Sequence, residues 1–460
     1  MQSSSLNKSE WQAGLSLASV YVLRMLGLFM VIPVIAVAAK EYPDYSALWV
    51  GLAIGGYGLT QALFQIPMGL LSDKWGRKPV IYVGLLFFAA GSLIAGLADT
   101  MWLLTVGRIL QGAGAIAGAI MALATDVTRE SQRTKIMALI GVSIGMSFYL
   151  ALLIGPIIAN SLGMQGIFLI TACLSILCLP LVRFGVPNNM AMQPTGDALP
   201  KLNQLAQLYK HPHLWRLNAS VLVVHMLITC FFVQVPVLLL NISIPLVEHW
   251  KLYSVVLVAS VVCLFVMIKL LDKQAARLSF KVSLLFMAAG FLILIAQVPS
   301  WVSIAMAGIL FFTGFNFLEA KMPSMVSSIS PAGRKGSAMG IYASHQFFGA
   351  FLGGLLSGLL NSYYSPEYTF IMCLIVIFLL SLAFRGLTSA ERLKRVTLAL
   401  ESHTITQNNH TELLSTLKSL IGVKEVVLDS LDAAIYLKVD ANTFDANEAQ
   451  RLINTHCNVQ

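Results

Sequence analysis

Glu319 and His225 are titratable residues set in apolar surroundings. His225 sits in Val223-Val224-His225-Met226-Leu227, and Glu319 follows Phe315-Asn316-Phe317-Leu318. A carboxylate in a low-dielectric surround is pushed toward neutrality, and an imidazole titrates near neutral pH unaided. Either group can therefore load and release a proton. The bland alternatives are a local Glu319–Lys321 pair and a histidine that only packs and hydrogen-bonds. Residues two apart do not share a helix face, which weakens the first. Arg24, Arg108, His345 and Asp126 also fall in or at the ends of apolar runs. An arginine keeps its proton, so Arg24 either braces helices or meets a substrate anion. A second cluster is polar: Gly69-Leu70-Leu71-Ser72-Asp73-Lys74-Trp75-Gly76-Arg77-Lys78-Pro79. Gly76 suits a tight turn between two helices. Asp73 suits a charge-assisted hydrogen bond or a neighbouring helix N-terminus.

The elements that must hold these residues are set by composition. The chain has 460 residues, 57% of them apolar and 11% charged, with a mean hydropathy of +0.78. Soluble domains carry roughly 25% charged residues, so an ordinary soluble enzyme and a disordered chain are both excluded. A membrane-spanning helix needs about 20 mainly apolar residues. Twelve such stretches are expected, six within 12–186 and six within 214–386, joined by a polar linker at 187–213. Two equal blocks suggest the parallel repeats of a secondary transporter. The first run carries Arg24 and passes Pro33 without a small-residue cleavage site, so it reads as a span and not a cleavable leader. Loops after even-numbered spans hold sixteen Lys and Arg, against Lys40 and Lys251 on the other side. That asymmetry predicts both termini in the cytoplasm. It also explains the net charge of +9 as a topology signal, so nucleic acid is not an expected partner.

The polar cluster resembles the loop signature of the major facilitator superfamily, Gly-x-Leu-x-Asp-x-x-Gly-Arg-[Arg/Lys], at every fixed position. Arg108 followed by Gln111, Gly112 and Gly114 is similar to a second motif of that family. Leu26, Gly27 and Pro33, and later Gly155 and Pro156, resemble the drug:proton antiporter branch. Ala36, Ala151, Ala159 and Asn160 stand where that branch has Pro or Gly. The resemblance implies an all-α membrane protein of twelve transmembrane helices in two six-helix pseudo-repeats, alternating access to a central cavity. It also implies that Asp73 faces the helix starting near Ser337 and that Arg77 pairs with Asp126. Gly69, Asp73, Gly76, Arg77, Lys78 and Asp126 would then form a latch on the cytoplasmic side. The plainer alternative is that these charges only end helices and orient the chain. Gly112, Gly114, Gly155 and Pro156 would serve helix packing. Glu319, His225, Arg24, Arg108 and His345 would serve proton coupling or line the cavity, with Arg108 acting on a nearby acid. Phe29, Tyr57, Phe64, Phe315, Phe317, Phe347 and Phe348 either line an apolar cavity or face lipid.

Residues 387–460 hold 7 Lys and Arg and 9 Asp and Glu, a change of composition. Strand-like alternation from Arg395 to Glu401 precedes a helical spacing from Leu413 to Ile421. Strands follow at Glu425–Leu428 and Ile435–Val439, then a helix near Asp445 to Ile453. This order predicts a small α+β ferredoxin-like cytosolic domain over 394–460. The resemblance implies a regulatory module or one for self-association. His403 and His410 are a weak metal signal, CxxC is absent, and no metal or cofactor is expected. Five cysteines (Cys173, Cys178, Cys230, Cys263, Cys373) lie in apolar runs and read as small buried residues. No GxxxxGK[ST] run is present. The expected function is secondary transport of small lipophilic or cationic compounds out of a bacterial inner membrane, coupled to protons, with membrane lipid as the surrounding partner. Two alternatives are a facilitated metabolite or metal-ion transporter with a sensing tail, and a non-transporting receptor or scaffold.

Overall fold

The computed structural model describes residues 6–187, 202–271, 276–296, 298–331, 334–383, 393–399, 407–429, 434–440 and short stretches between 443 and 452. It is mostly helical. The helices are α1 (Lys8–Ala38), α2 (Ala47–Trp75), α3 (Arg77–Gly96), α4 (Met101–Ala113), α5 (Ala117–Asp126), α6 (Glu130–Gly185), α7 (Leu202–Lys210), α8 (Pro212–Asn241), α9 (His249–Leu271), α10 (Ala276–Ala296), α11 (Trp301–Ile329), α12 (Lys335–Tyr363) and α13 (Pro366–Ala383). Local chemistry sets several ends. Asn7 and Glu10 form a reciprocal capping box that opens α1. Ser46 and Ser300 cap α2 and α11. Gly76, at φ 92°, turns the chain between α2 and α3 in a conformation other residues rarely adopt.

Ten helical stretches among the described residues are long and apolar enough to cross a membrane, where the sequence leads one to expect twelve. The difference has two sources. The fifth and sixth expected spans run on as the 56-residue α6, which bends at Gly163 (φ 67°, ψ 179°) with no connecting loop. α12 is not among the ten; it carries Gly, Ser, His and Gln where its neighbours carry Leu and Val. The fourth span is one stretch interrupted between Ala113 and Ala117, giving α4 and α5. The linker contributes α7, and residues 188–201 of it lie outside the described residues.

The helices form two packed groups, α1–α6 and α8–α13, each with its own apolar core. Outward-facing Val258, Phe265, Leu285 and Phe378 are exposed, a surface water does not favour. Cys173 is on that surface and is exposed, contrary to the reading of all five cysteines as buried; Cys178, Cys230 and Cys373 are buried. Its position on the outer side of α6 makes surrounding lipid the only apolar cover available to it.

The two groups touch through α2 and α12. A Cβ added at Gly51 would lie 2.2 Å from the Gly354 carbonyl oxygen, and one at Gly55 2.8 Å from that of Phe351. Small residues let these backbones meet, as in membrane helix pairs generally. An aromatic cluster joins four helices across the same divide. Phe148 of α6 packs edge-on to Phe29 of α1 at 5.0 Å and to Phe232 of α8 at 6.1 Å, and lies 6.3 Å from Phe312 of α11.

Beyond α13, β1 (Leu393–Ala399), α14 (Gln407–Ser419), β2 (Val423–Asp429) and β3 (Ala434–Asp440) build a three-stranded sheet of order β1-β3-β2, antiparallel throughout. Ile435, Leu437 and Val439 face Leu413 and Leu417 of α14, forming a core. Glu448, Ala449, Arg451 and Leu452 are helical. The expected helix near Asp445–Ile453 is otherwise outside the described residues, as are a fourth strand and His403. His410 falls within α14.

The α2–α12 contact makes a direct prediction. Gly354→Leu should destabilise the purified protein by about 1–3 kcal/mol, because the new side chain meets backbone that cannot yield. Gly69→Ala should leave the thermal midpoint unchanged or raise it, since a Cβ there meets nothing within 4 Å. Equal losses in both variants would contradict the close-approach account.

Candidate functional site

The polar cluster lies where α2 ends and α3 begins. Arg77 ties it together: Nη1 donates to Asp73 and, at 2.8 Å, to Ser72 Oγ, while Nε donates to Asp126 Oδ2 at 3.1 Å. Asp126 closes α5, so one guanidinium links α2, α3 and α5. Lys78 Nζ donates to the Val186 carbonyl at 2.5 Å. Asp73 makes no hydrogen bond or ion pair to α12 among the described residues; its carboxylate is taken by Arg77. Gly69 accepts from Ser72 Oγ at 2.8 Å.

A neighbouring tie went unread in the sequence. Glu10 is 1% exposed. It accepts from Arg129 Nε at 2.8 Å, from the Arg129 backbone N–H at 3.0 Å and from Arg129 Nη2 at 2.8 Å. This pins the start of α1 to the start of α6. The Asn7-x-x-Glu10 spacing was the available signal, since it marks a capping box.

Inside the first group, Arg24 is fully buried. Its Nη2 donates to Tyr57 Oη (3.2 Å), Gln61 Oε1 (3.2 Å) and the Gly114 carbonyl (3.0 Å), and its guanidinium lies 5.3 Å from the Phe88 ring centre. Arg108 donates to the Ala53 carbonyl at 3.0 Å and to Gln111 Oε1 at 2.8 Å, and lies over Tyr57 at 5.0 Å. No carboxylate pairs with either arginine among the described residues. An action of Arg108 on a nearby acid therefore has no acid partner here, and its charge is met by carbonyl, amide and ring. Gly112 brings α4 against the Tyr57 carbonyl of α2, Gly114 meets Gly84, and Gly155 meets Met30 on α1, one residue before Pro156 in α6.

The second group places His225 of α8 and Glu319 of α11 together, 3.8 Å apart from Nε2 to Oε1. His225 Nδ1 lies 3.1 Å from the Val221 carbonyl, which fixes the proton on Nδ1. Nε2 is then the acceptor and takes a 2.7 Å hydrogen bond from the Gln346 amide of α12. Glu319 Oε1 is buried and has no hydrogen-bond partner. Tyr342 lies one helical turn before Gln346, is 3% exposed, and its hydroxyl also lacks a partner. Phe315 packs against the His225 ring at 5.8 Å. A buried polar atom without a partner costs free energy, so such atoms grouped at one point suggest a group that enters.

The arrangement permits proton exchange. Protonated at Nε2, His225 would turn its donor toward Glu319 and release the Gln346 amide. Gln346 and Tyr342 were missed because neutral polar residues in a Gly- and Ser-rich helix stand out little. Asn316, also missed, donates to Tyr149 of α6 at 3.1 Å and so joins the two groups. Lys321 lies 6.0 Å from the Phe317 ring centre. His345 is apart from Glu319; it bonds the Ile341 carbonyl at 2.8 Å and packs against Tyr209 of α7. Of the singled-out aromatics, Phe29, Tyr57, Phe315 and Phe347 lie at contacts in the interior, Phe317 is buried, and Phe64 and Phe348 are exposed.

A sequence profile of the Major Facilitator Superfamily matches residues 17–318 and again 239–428. The inner membrane transport protein YajR of Escherichia coli is 38% identical over 97% of this chain and 98% of its own. The class B tetracycline resistance protein of Escherichia coli is 31% identical over 35% of this chain and 41% of its own. A crystal structure of the nucleoside transporter NupG covers 82% of this chain and 99% of its own at 15% identity, with a TM-score of 0.66, which shows the shared fold. By sequence and by fold, the chain belongs to the major facilitator superfamily, and it is an integral membrane secondary transporter of small molecules, not an enzyme.

Proposed function

We propose that the chain is a proton-coupled efflux transporter for small lipophilic or cationic compounds, working by alternating access. The observation that carries this reading is the His225–Glu319 pair, with an unpartnered carboxylate oxygen inside the second helix group. An intramembrane ionisable residue costs about 2.5–3.5 kcal/mol on the insertion scale, so a site that holds one without full pairing is retained for use. The likeness of part of the chain to a tetracycline resistance protein supports the outward direction.

In this reading twelve spans cross a bacterial inner membrane with both termini in the cytoplasm. The ten apolar stretches become twelve when α6 is divided at Gly163 and α12 is added. Residues 12–186 and 214–386 are the two halves, 187–213 the linker and 394–460 a ferredoxin-like regulatory domain. Support for the last is the β1-β3-β2 order with a helix crossing between β1 and β2. With that orientation, the α2–α12 contact at Gly51 and Gly354 closes the outer side. Asp73 is free of α12 on the inner side, so this is an inward-open arrangement. The latch closes when Asp73 reaches the N-terminus of α12, while Arg77–Asp126 keeps the first half rigid throughout.

Proteoliposomes with an internal pH-sensitive dye, an imposed proton gradient and a panel of lipophilic cations and neutral drugs test the reading. Wild type should release protons when a substrate is added, and Glu319→Gln should not. A Glu319→Gln protein with full coupled activity would remove Glu319 from the mechanism.

The latch has its own test. Asp73→Lys should reduce transport while expression and thermal midpoint stay near wild type. Normal transport in that variant would leave Asp73 with only an orienting role.

A further inference from the structure

The C-terminal sheet does not stand clear of the helices. Its face opposite α14 carries Tyr436 and Lys438, which are only 2% and 7% exposed. Lys438 Nζ donates to the Ile329 carbonyl at 3.3 Å and the Ser330 carbonyl at 3.5 Å, at the end of α11. Cations are favoured at such helix ends. His211, which caps α8, lies close enough to feel the same sheet. Burial first, then His213 and Lys438, hold its imidazole below the usual range, with Glu425 opposing.

Beside this junction is a cavity of about 300 Å³. One wall is Pro331 and Arg334 from the α11–α12 turn. The other is Lys418 of α14 and Lys424, Glu425, Val426 and Val427 of β2. Arg334 spends an Nη1 hydrogen bond on Gln207 of α7 at 2.8 Å. None of Arg334, Lys418 and Lys424 is in an ion pair among the described residues. Three cations and one carboxylate leave the lining two charges positive. A phosphate group carries about −1.5 to −2 at pH 7 and offers oxygens in several directions. A fork-shaped guanidinium and two point-charge ammoniums from three segments suit that shape better than they suit a flat carboxylate.

We propose that this cavity binds a small phosphate-bearing anion, which joins the C-terminal sheet to the α11–α12 turn. The ligand is either a soluble phosphate compound or an anionic lipid headgroup, since the recognised chemistry is the same. Binding at this place would act on α12, the helix that carries Tyr342 and Gln346 toward Glu319. The site does not depend on what is transported.

The test uses the full chain in nanodiscs of neutral lipid, titrated calorimetrically with pyrophosphate at constant ionic strength. Saturable one-to-one binding is expected. Arg334→Gln and Lys424→Gln, one from each wall, should each weaken it by about tenfold or more, the effect of losing one charge-assisted hydrogen bond. Glu425→Gln should tighten it, which a merely solvated lysine surface would not do. Nanodiscs containing phosphatidylglycerol separate the sources. Unchanged pyrophosphate affinity there assigns the site to a soluble ligand, and weakened affinity by competition assigns it to a headgroup. No saturable binding in neutral nanodiscs overturns the proposal. So does binding that none of the three substitutions alters.

Discussion

A charge taken out of water must be met by partners inside the protein, and that constraint organises this molecule. Two arginines are buried in the first helix group with no acid to pair with. The chain meets them with carbonyls, amides and rings. Arg24 reaches the Gly114 carbonyl, which lies at the interruption between α4 and α5. Arg108 reaches the Ala53 carbonyl of α2. Tyr57 serves both, as hydrogen-bond partner to one and ring beneath the other, and its far edge meets Phe347 of α12. The charged interior of the first group thus extends to the boundary with the second.

The polar ties and the apolar contacts divide in a way that bears on motion. Arg77–Asp126 and Glu10–Arg129 lie wholly within α1–α6, and His225–Glu319 lies wholly within α8–α13. Contact between the groups is made by glycine backbones at α2–α12 and by the rings around Phe148. Directional hydrogen bonds resist sliding, whereas apolar surfaces can part and re-form with little loss of specificity. A hydrogen bond that does cross, Asn316 to Tyr149, sits on α11, the helix that carries Glu319. Rigid groups meeting at a soft boundary are what a rocking motion requires.

How much of this was legible in the sequence depends on the kind of signal. Asp73, Gly76 and Arg77 were legible because polar residues at fixed spacing between apolar runs have few structural reasons to be there. Glu319 and His225 were legible singly, as titratable groups in apolar runs. Their pairing was not, because 94 positions of chain separate them and periodicity says nothing about which helices meet. Gln346 and Tyr342 gave no signal, since neutral polar residues are common in a helix of small residues. Arg24 and Arg108 were read alongside Glu319, yet they belong to a separate network in the other group. The unbroken α6 defeated span counting because Gly163 turns the chain without a polar loop, and hydropathy marks loops, not bends. The sheet beyond α13 was visible from its alternation, but which face it turns to the helices was not.

That last point follows from the period of a strand. Alternate residues of β3 face opposite ways, so one strand can serve two surfaces at once. Ile435, Leu437 and Val439 close a core with α14, while Tyr436 and Lys438 are spent on the helical body. Using both faces has a mechanical consequence. A sheet held only by its own core would follow the helices passively at the end of its connection. A sheet whose lysine donates to the terminal carbonyls of α11 moves with α11, and α11 carries Glu319 and Asn316. Whatever shifts the sheet therefore bears on the helix that holds the carboxylate, through a short rigid path that does not pass through the other group.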